Sequence, residues 1–249
     1  MGVHAIITGA SSGIGEALAV ELARRGYRVG LVARREERLQ ALAERIRGEG
    51  GEAAYAVGDV CSQASVVDAF AQLQQTLGPC QLMVANAGIG GPTRAQDLDL
   101  ELTRKTFEVN TFGAIYAAHA VLPGMLERGS GQLVVVSSVA ATRGLPGSGA
   151  YCASKAAIST FWESMRVDLE GTPLVVTTLH PGFVKTPLTD KNDFDMPFII
   201  PAEEAATLMA DAIVRQDRTY TFPVQMAVVE WSMKRLPSWL FDRLTAGRR

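Results

Sequence analysis

Short runs of β-branched residues alternate along this chain with longer segments in which apolar residues recur at helical spacing. Two such runs with a helical segment between them form a βαβ unit, and several units in series build a parallel sheet. The runs are almost continuously apolar, as expected of strands that are covered on both faces. The pattern therefore predicts an α/β fold with a doubly wound parallel sheet.

The limits of each element follow from where its apolar pattern begins and ends. The expected strands are Val3–Thr8, Tyr27–Ala33, Ala53–Val57, Gln81–Ala85, Gln132–Ser137, Leu174–Leu179 and Tyr220–Phe222. The expected helices are Gly13–Arg25, Glu36–Arg47, Gln63–Leu77, Leu102–Arg128, Gly149–Glu170 and Pro201–Gln216. No repeat, low-complexity tract or linker rich in Pro, Gly or Ser divides the chain. We expect one domain over residues 1–223, followed by an amphipathic helical extension over residues 224–249.

Charge and the cysteine pattern exclude several classes of function. A formal net charge of −2 and a pI near 6.0 provide no global positive field that would hold nucleic acid. The three cysteines are odd in number and lack the paired spacing of a zinc site or a disulfide framework. The three histidines, His4, His119 and His180, lie in apolar stretches, and we interpret them as packed side chains. We therefore expect no metal.

Nothing in the chain predicts export or insertion into a membrane. Only three residues precede His4 in the first strand, which leaves no room for a signal sequence there. No apolar run approaches the roughly 20 residues that a membrane-spanning helix needs. Because the cysteines also fit a reducing compartment, we expect a soluble protein of the cytoplasm.

A glycine-rich turn joins the first strand to the first helix. The segment Thr8-Gly-Ala-Ser-Ser-Gly-Ile-Gly15 places Gly9, Gly13 and Gly15 where the chain turns sharply into that helix. Glycine lets the backbone approach a pyrophosphate, and the free N–H groups and dipole of the helix N-terminus favour its charge. The turn therefore predicts a Rossmann-type dinucleotide site. A tight turn without a ligand is the alternative, because the spacing GxxxGxG differs from the general GxGxxG pattern.

Two arginines, Arg34 and Arg35, follow the second strand. A site for NAD usually has an Asp or Glu here, about 20 residues beyond the glycine turn, which bonds the free ribose hydroxyls. A guanidinium suits a phosphate instead, so Arg34 favours NADP(H), with NAD(H) as the alternative. A solvated charged loop is the other interpretation, because Arg34 opens a strongly charged stretch.

Further motifs follow in a fixed order. After the glycine turn come Asp59-Val60, Asn86-Ala-Gly88, Asn110, Ser137-Ser138, Tyr151-Cys-Ala-Ser-Lys155 and Pro181-Gly182. In these motifs the chain resembles the short-chain dehydrogenase/reductase family, in its branch of single-domain members of about this length. The resemblance covers most of the chain and implies an oxidoreductase that uses a nicotinamide cofactor.

The resemblance also implies where the cofactor binds. Asp59 and Val60 would contact the adenine, the turn at residues 86–88 would line the cofactor's path, and Val184 and Thr186 would bind the nicotinamide amide. The implied cofactor-binding residues are Gly9, Ser11, Ser12, Gly13, Ile14, Gly15, Arg34, Asp59, Val60, Asn86, Ala87, Gly88, Tyr151, Lys155, Pro181, Gly182, Val184 and Thr186.

Tyr151 and Lys155 are four residues apart on an expected helix, so their side chains lie on one face of it. A tyrosine with its ordinary pKa near 10 exchanges protons poorly at neutral pH, but a neighbouring ammonium and an oxidised nicotinamide would lower that pKa. Ser138, at the end of a strand, could hold the substrate oxygen while charge develops on it. By resemblance, Ser138 and not Ser137 is the catalytic serine, and Tyr151 is the general acid/base.

Asn110 lies in the middle of a long expected helix, where asparagine is not favoured. It is similar to the family's asparagine that holds a water molecule linking Lys155 to solvent. A helix kink or a structural hydrogen bond is the alternative. The expected catalytic residues are thus Ser138, Tyr151, Lys155 and Asn110.

Residues 183–200 form the segment that closes over substrate in this family. The apolar end of this segment, together with Val139, Leu145 and Pro146, suggests a lipophilic or bulky carbonyl compound. These side chains could equally be core residues.

The tail from Val224 to Arg249 departs from the Gly-rich final strand that many family members use for tetramer contacts. We therefore expect a homo-oligomer in which a dimer is favoured. The tail's apolar residues, including Trp231 and Trp239, alternate with basic residues that include Arg248 and Arg249. This composition favours helices packed on the parent domain or on a second subunit, and it also fits possible peripheral contact with a membrane.

The sequence is compatible with two classes of function. An NADP(H)-dependent carbonyl reductase or alcohol dehydrogenase needs Ser138, Tyr151 and Lys155 together, and all three are present. A non-catalytic protein that senses dinucleotides or binds partners on the same fold has no chemical need for them. A peripheral membrane enzyme acting on lipid carbonyls differs from the first class only in its tail. The sequence favours catalysis on a small molecule but names neither substrate nor direction.

Overall fold

The structure, a computed structural model, describes residues 2–192 and 194–246. Its strands are β1 (His4–Thr8), β2 (Arg28–Ala33), β3 (Glu52–Val57), β4 (Leu82–Ala85), β5 (Gly131–Val136), β6 (Leu174–Pro181) and β7 (Thr219–Phe222). All neighbouring strands pair in parallel, in the order β3-β2-β1-β4-β5-β6-β7. The chain reverses its direction of winding between β1 and β4, where doubly wound sheets bind dinucleotides. The predicted fold class is confirmed.

Helices cover both faces of the sheet. They are α1 (Gly13–Arg24), α2 (Glu36–Gly48), α3 (Gln63–Leu77), α4 (Leu100–Phe107), α5 (Gly113–Arg128), α6 (Gly149–Asp168), α7 (Ala202–Arg215), α8 (Val224–Arg235) and α9 (Ser238–Thr245). Within the described part of the chain, none of these helices is long and apolar enough to cross a membrane.

Strand side chains alternate between two hydrophobic cores. Ile7 and Val134 belong to the core that includes α1, α2 and α7, whereas Ile6 and Leu133 belong to the core that includes α3, α5 and α6. Successive residues of a strand point to opposite faces of the sheet. Because both faces are covered, the strands need apolar residues at nearly every position.

The helix predicted over residues 102–128 is not one regular α-helix. A π-helical turn at Glu108–Phe112 joins α4 to α5. Asn110 lies in this wider turn and is 1% exposed. Gly113 follows it, and a Cβ atom there would lie only 2.9 Å from the Cβ of Val60. The prediction of one regular helix was wrong. The π-helical turn depends on hydrogen bonds from the buried Asn110 to residues far away in the sequence, and the spacing of apolar residues does not reveal such bonds.

The extension forms α8 and α9, which lie with one face against the domain. Met226, Glu230 and Phe241 are buried, whereas Trp231 and Trp239 are exposed. The extension therefore contacts its parent domain, and what else its exposed face contacts stays a prediction. Arg248 and Arg249 of the predicted basic pattern lie outside the described residues.

The three histidines do not share one environment. His4 and His180 are buried, as expected of packed side chains. His119 on α5 is exposed, so its interpretation as a packed residue is wrong. An apolar neighbourhood in the sequence does not say which face of a helix a single side chain occupies.

Candidate active site

The glycine turn and the turn after β4 lie side by side at the carboxyl edge of the sheet. The Thr8 hydroxyl accepts hydrogen bonds from the backbone N–H groups of Asn86, at 3.1 Å, and Ala87, at 3.2 Å. The side-chain amide of Asn86 donates to the Thr8 carbonyl at 3.0 Å. Gly9 has a φ of 69°, and a Cβ atom there would lie 2.7 Å from the Cα of Ala87. This close approach in a left-handed conformation requires glycine.

The N-terminus of α1 is available to an anion. Ser12 is its N-cap residue, and its side chain makes no capping bond to the described residues. The first backbone N–H groups of a helix have no partner within the helix, and the helix dipole places partial positive charge on them. Together with the reversal point of the sheet, this arrangement fits the pyrophosphate of a dinucleotide.

Ser138, Tyr151 and Lys155 lie at the same edge of the sheet. Ser138 follows β5 and precedes a short 3-10 turn at Val139–Ala141, while Tyr151 and Lys155 belong to the first two turns of α6. The Lys155 ammonium lies 5.9 Å from the centroid of the Tyr151 ring. Gly90, beyond β4, lies against that ring, because a Cβ atom there would be 3.2 Å from the tyrosine Cδ2.

Burial controls the protonation of the tyrosine and the lysine. It raises the pKa of Tyr151, and the nearby Ser138 hydroxyl opposes this change only in part. It lowers the pKa of Lys155 from 10.5 to about 8, and the ammonium donates one hydrogen bond to the Val136 carbonyl at 2.8 Å. The pKa of Tyr151 is thus raised in the ligand-free protein, and its lowering beside a bound oxidised nicotinamide stays a prediction. Desolvation of the phenolate is the largest cause of this rise.

Asn110 connects the turn after β4 to α6. Its Oδ1 accepts from the backbone N–H of Ile89 at 2.8 Å, and its Nδ2 donates to the Ile89 carbonyl at 2.9 Å and to the Ser154 hydroxyl at 3.0 Å. A Cβ atom on Gly88 would lie 3.4 Å from both the Asn110 Oδ1 and the Lys155 Nζ. The asparagine thus makes structural hydrogen bonds right beside Lys155, and its role in holding water stays a prediction.

The short chain dehydrogenase family model matches residues 3–196. The chain belongs to the short-chain dehydrogenase family. An uncharacterized oxidoreductase of Myxococcus xanthus strain DK1622 is 46% identical to it over 245 residues, which make up 98% of this chain and 96% of that protein.

Two solved structures show the same fold with a nicotinamide cofactor. A short-chain dehydrogenase/reductase from Burkholderia phymatum, in complex with NAD, has a TM-score of 0.85 and 25% identity, and the match covers 95% of this chain and 96% of that one. The alcohol dehydrogenase of the archaeon Thermococcus sibiricus, complexed with 5-hydroxy-NADP, has a TM-score of 0.81 and 28% identity, with coverage of 89% and 96%. This short-chain dehydrogenase is therefore an oxidoreductase whose relatives bind NAD or NADP.

The two arginines after β2 take different positions in the dehydrogenase. Arg34 is exposed and lies near Asp59, whose pKa is lowered first by the backbone N–H of Cys61 and further by the charge of Arg34. Arg35 instead reaches the glycine turn and donates to the hydroxyls of Ser11, at 2.8 Å, and Ser12, at 2.7 Å. The choice of Arg34 alone missed this contact. Side chains of adjacent residues at the end of a strand point in opposite directions. This alternation could have indicated that Arg34 and Arg35 have different contacts.

The described residues of the predicted substrate segment, 183–192 and 194–200, are closed at their ends and reach the glycine turn. The Lys185 N–H donates to the Ile200 carbonyl at 2.9 Å, and the Ile200 N–H donates to the Phe183 carbonyl at 3.1 Å. Thr186 packs on the turn, because a Cβ atom on Gly13 would lie 3.2 Å from the threonine Cβ. The segment that follows Pro181-Gly182 is thereby brought next to the N-terminus of α1.

The apolar residues suggested for substrate binding differ in their exposure. Val139 and Ile200 are buried and act as core residues. Phe198 and Ile199 in the loop and Pro146 in the segment after Ser138 are exposed. Leu145 is partly exposed, and it and the exposed group are accessible to a substrate.

Proposed function

We propose that this dehydrogenase transfers hydride between NADP(H) and a carbonyl or secondary-alcohol group of a lipophilic or bulky small molecule, with Tyr151 as general acid/base. The proposal depends mainly on one observation: Ser138, Tyr151 and Lys155 converge at the sheet edge that carries the free N-terminus of α1. When bound there, the nicotinamide supplies or accepts the hydride.

The residues of the chain would handle the substrate oxygen and its proton. The Ser138 hydroxyl donates to that oxygen as negative charge develops on it. Tyr151 is a neutral phenol in the ligand-free protein, because burial raises its pKa, and it gives its proton to the oxygen during reduction. Lys155 and a water molecule held near Asn110 return a proton from solvent. Oxidation reverses each transfer.

The preference for NADP(H) rests on charge. Arg34 offers an exposed guanidinium at the end of β2, where a ribose phosphate would lie in a site that runs from Asp59 to the glycine turn. A phosphate forms charge-assisted bonds with a guanidinium, whereas a ribose hydroxyl gains less from it. Val60, Asn86, Ala87, Gly88, Val184 and Thr186 would complete the cofactor site.

Arg34→Ala should lower kcat/KM for NADPH by roughly 10- to 100-fold, because a hydrogen bond to a charged group is worth about 1.5–3 kcal/mol. The value for NADH should change little. Arg38→Ala, in the same charged stretch on α2, removes an exposed guanidinium and serves as the matched control. A wild-type preference for NADH, or equal losses with both cofactors, would contradict the assignment.

The buried lysine argues against the alternative of a non-catalytic dinucleotide sensor. Lys155 is 4% exposed and its ammonium has one hydrogen bond to the described residues, so its charge is kept at a cost to stability. An enzyme that transfers protons to a neighbouring phenol needs the buried Lys155 ammonium, whereas a protein that only senses a dinucleotide does not.

The exposed aromatic side chains of the loop over residues 183–200 support a bulky, apolar substrate. Phe194 and Phe198 are each about half exposed, and apolar pocket walls with few polar groups are typical of small-molecule sites. A screen of ketones, aldehydes and lipid-like carbonyls with NADPH should give the highest kcat/KM for large apolar compounds. A preference for small polar carbonyls would contradict this part of the proposal.

The proposal includes a homodimer in the cytoplasm. Relatives in this family act on small molecules and form oligomers, and the exposed Phe112 and Phe161 offer apolar surface for a second subunit. The three cysteines are free, as in a reducing compartment. Sedimentation velocity should give twice the chain mass of 26.6 kDa, and a monomer at high concentration would contradict the dimer.

A further inference from the structure

Glu230 on α8 is a buried carboxylate at the centre of a polar cluster. It is 5% exposed, and it accepts hydrogen bonds from His180 Nδ1 at 3.1 Å, Lys234 Nζ at 2.7 Å and the Thr142 hydroxyl at 3.4 Å, as well as from the Thr221 hydroxyl. Burial alone would raise the pKa of Glu230, but the bonds from His180, Lys234 and Thr221 lower it to about 2. The carboxylate is therefore charged and satisfied by several donors.

Two of these donors, His180 and Thr142, belong to segments that lead directly into the proposed active site. His180 immediately precedes the Pro181-Gly182 turn, from which the chain continues to the proposed nicotinamide contacts. Thr142 ends the 3-10 turn that begins after Ser138. One carboxylate from the extension thus holds the segment after β5 and the end of β6 at the same time.

Within the described part of the chain, the bond to Glu230 is the one polar contact of the His180 ring. The Nε2 atom of His180 is buried and has no hydrogen-bond partner among residues 2–192 and 194–246. Without Glu230, both ring nitrogens would lack a partner among the residues that the structure describes, which strongly disfavours the present ring position. The end of β6 therefore depends on Glu230 for its geometry.

Arg143 makes a second connection between the serine segment and the extension. Its Nη1 donates to the carbonyls of Met233, at 3.2 Å, and Leu236, at 2.9 Å, at the end of α8. Its guanidinium also lies 4.3 Å from the centroid of the Phe241 ring on α9. Consecutive residues after the catalytic serine thus contact both helices of the extension.

We propose that Glu230, assisted by Arg143, is a positioning residue that makes the extension part of the active site by fixing the Ser138 segment and the Pro181-Gly182 turn. The inference rests on the proposed function of Ser138 and Tyr151. An apolar residue at position 230 would be a simpler way to fill a buried site, because a buried carboxylate must be completely satisfied. A carboxylate at position 230 is explained if its hydrogen bonds are needed to fix the positions of the segments that carry Thr142 and His180.

The test compares Glu230→Gln with Glu21→Gln. Glu21 also forms a partly buried ion pair, with Arg25 at 2.8 Å, but it lies near the end of α1, away from the active site. Both variants are assayed well below their unfolding midpoints, with NADPH and a carbonyl that the wild type reduces. NADPH affinity is measured separately by fluorescence.

Glu230→Gln should lower kcat about tenfold, because Ser138 and the turn after β6 lose their fixed positions. The Kd for NADPH should stay within about twofold, since the glycine turn is untouched. Glu21→Gln should keep the wild-type kcat even where its midpoint falls. If Glu230→Gln kept the wild-type kcat while its unfolding midpoint fell, Glu230 would be merely structural and the inference would be overturned.

Arg143→Met tests the same inference independently, including the case in which Glu230→Gln does not fold. It should lower kcat severalfold with an unchanged Kd for NADPH, and an unchanged kcat would overturn the inference. Tyr151→Phe separates this result from the proposed function. If Tyr151→Phe loses turnover while Glu230→Gln and Arg143→Met keep it, only the positioning role fails.

Discussion

Replacing Lys155 with Met should stabilise the protein while it removes activity. Lys155 is 4% exposed, and among residues 2–192 and 194–246 its ammonium has one hydrogen bond, to the Val136 carbonyl. Its pKa falls from 10.5 to about 8 because burial disfavours the charge. At about 1.36 kcal/mol for each pKa unit, this change corresponds to a stability cost of about 3 kcal/mol.

The sign of the effect with pH follows from proton binding. Between pH 8 and 10.5 the unfolded chain keeps the lysine proton that the folded protein loses, so wild-type stability rises with pH in this window. Below pH 8 the full cost is present. Methionine removes that cost but leaves the Val136 carbonyl without its donor, which costs about 1 kcal/mol. The net gain at pH 7 is therefore about 2 kcal/mol.

Urea unfolding of the wild type and of Lys155→Met at pH 7, 9 and 10.5 measures this gain. The variant should be more stable at pH 7, and its advantage should vanish by pH 10.5. Lys191→Met removes an exposed lysine and should show no such dependence on pH. A variant that is less stable than the wild type at pH 7 would refute the reasoning, because Lys155 would then contribute to stability and not oppose it.

Two further changes test the geometry around the site. Gly9→Ala should destabilise the protein by at least about 2 kcal/mol and abolish NADPH binding, because the left-handed φ alone costs about 1–2 kcal/mol and the new Cβ would meet the Ala87 backbone. Gly26 has a φ of 85° and open space around it. Gly26→Ala in the same unfolding assay therefore measures the free-energy cost of the left-handed conformation without a steric clash. The charge of Glu230 should stabilise the fold by about 3 kcal/mol above pH 4.5, and this contribution should be lost as the pH falls towards 2. The difference in unfolding free energy between the wild type and Glu230→Gln should therefore shrink in acid, and a constant difference would exclude this effect.

Local patterns were enough to predict the order of the elements. The helix Gln63–Leu77 has the limits that its periodicity indicates, and the strands end within two residues of their predicted limits. Both faces of the sheet are covered, so a strand appears in the sequence as a short apolar run between polar turns. The glycine spacing likewise marked the turn at Gly9, because φ and close packing exclude other residues there.

What could not be predicted depends on contacts between distant parts of the chain. The π turn around Asn110 is held by Ile89 and Ser154, 21 and 44 residues away. His180 looked like an ordinary packed side chain, because its partner Glu230 lies 50 residues further along. The pKa of Tyr151 depends on how completely the fold removes water from the phenol, which spacing alone does not show.

The measurement that tests the central claim most directly is the turnover of Tyr151→Phe with NADPH and the best carbonyl substrate of the wild type. We predict that kcat falls by at least about a hundredfold, as expected for loss of a general acid, while the Kd for NADPH stays within about twofold. A variant that keeps most of its turnover would contradict the assignment of Tyr151 as the residue that exchanges the proton.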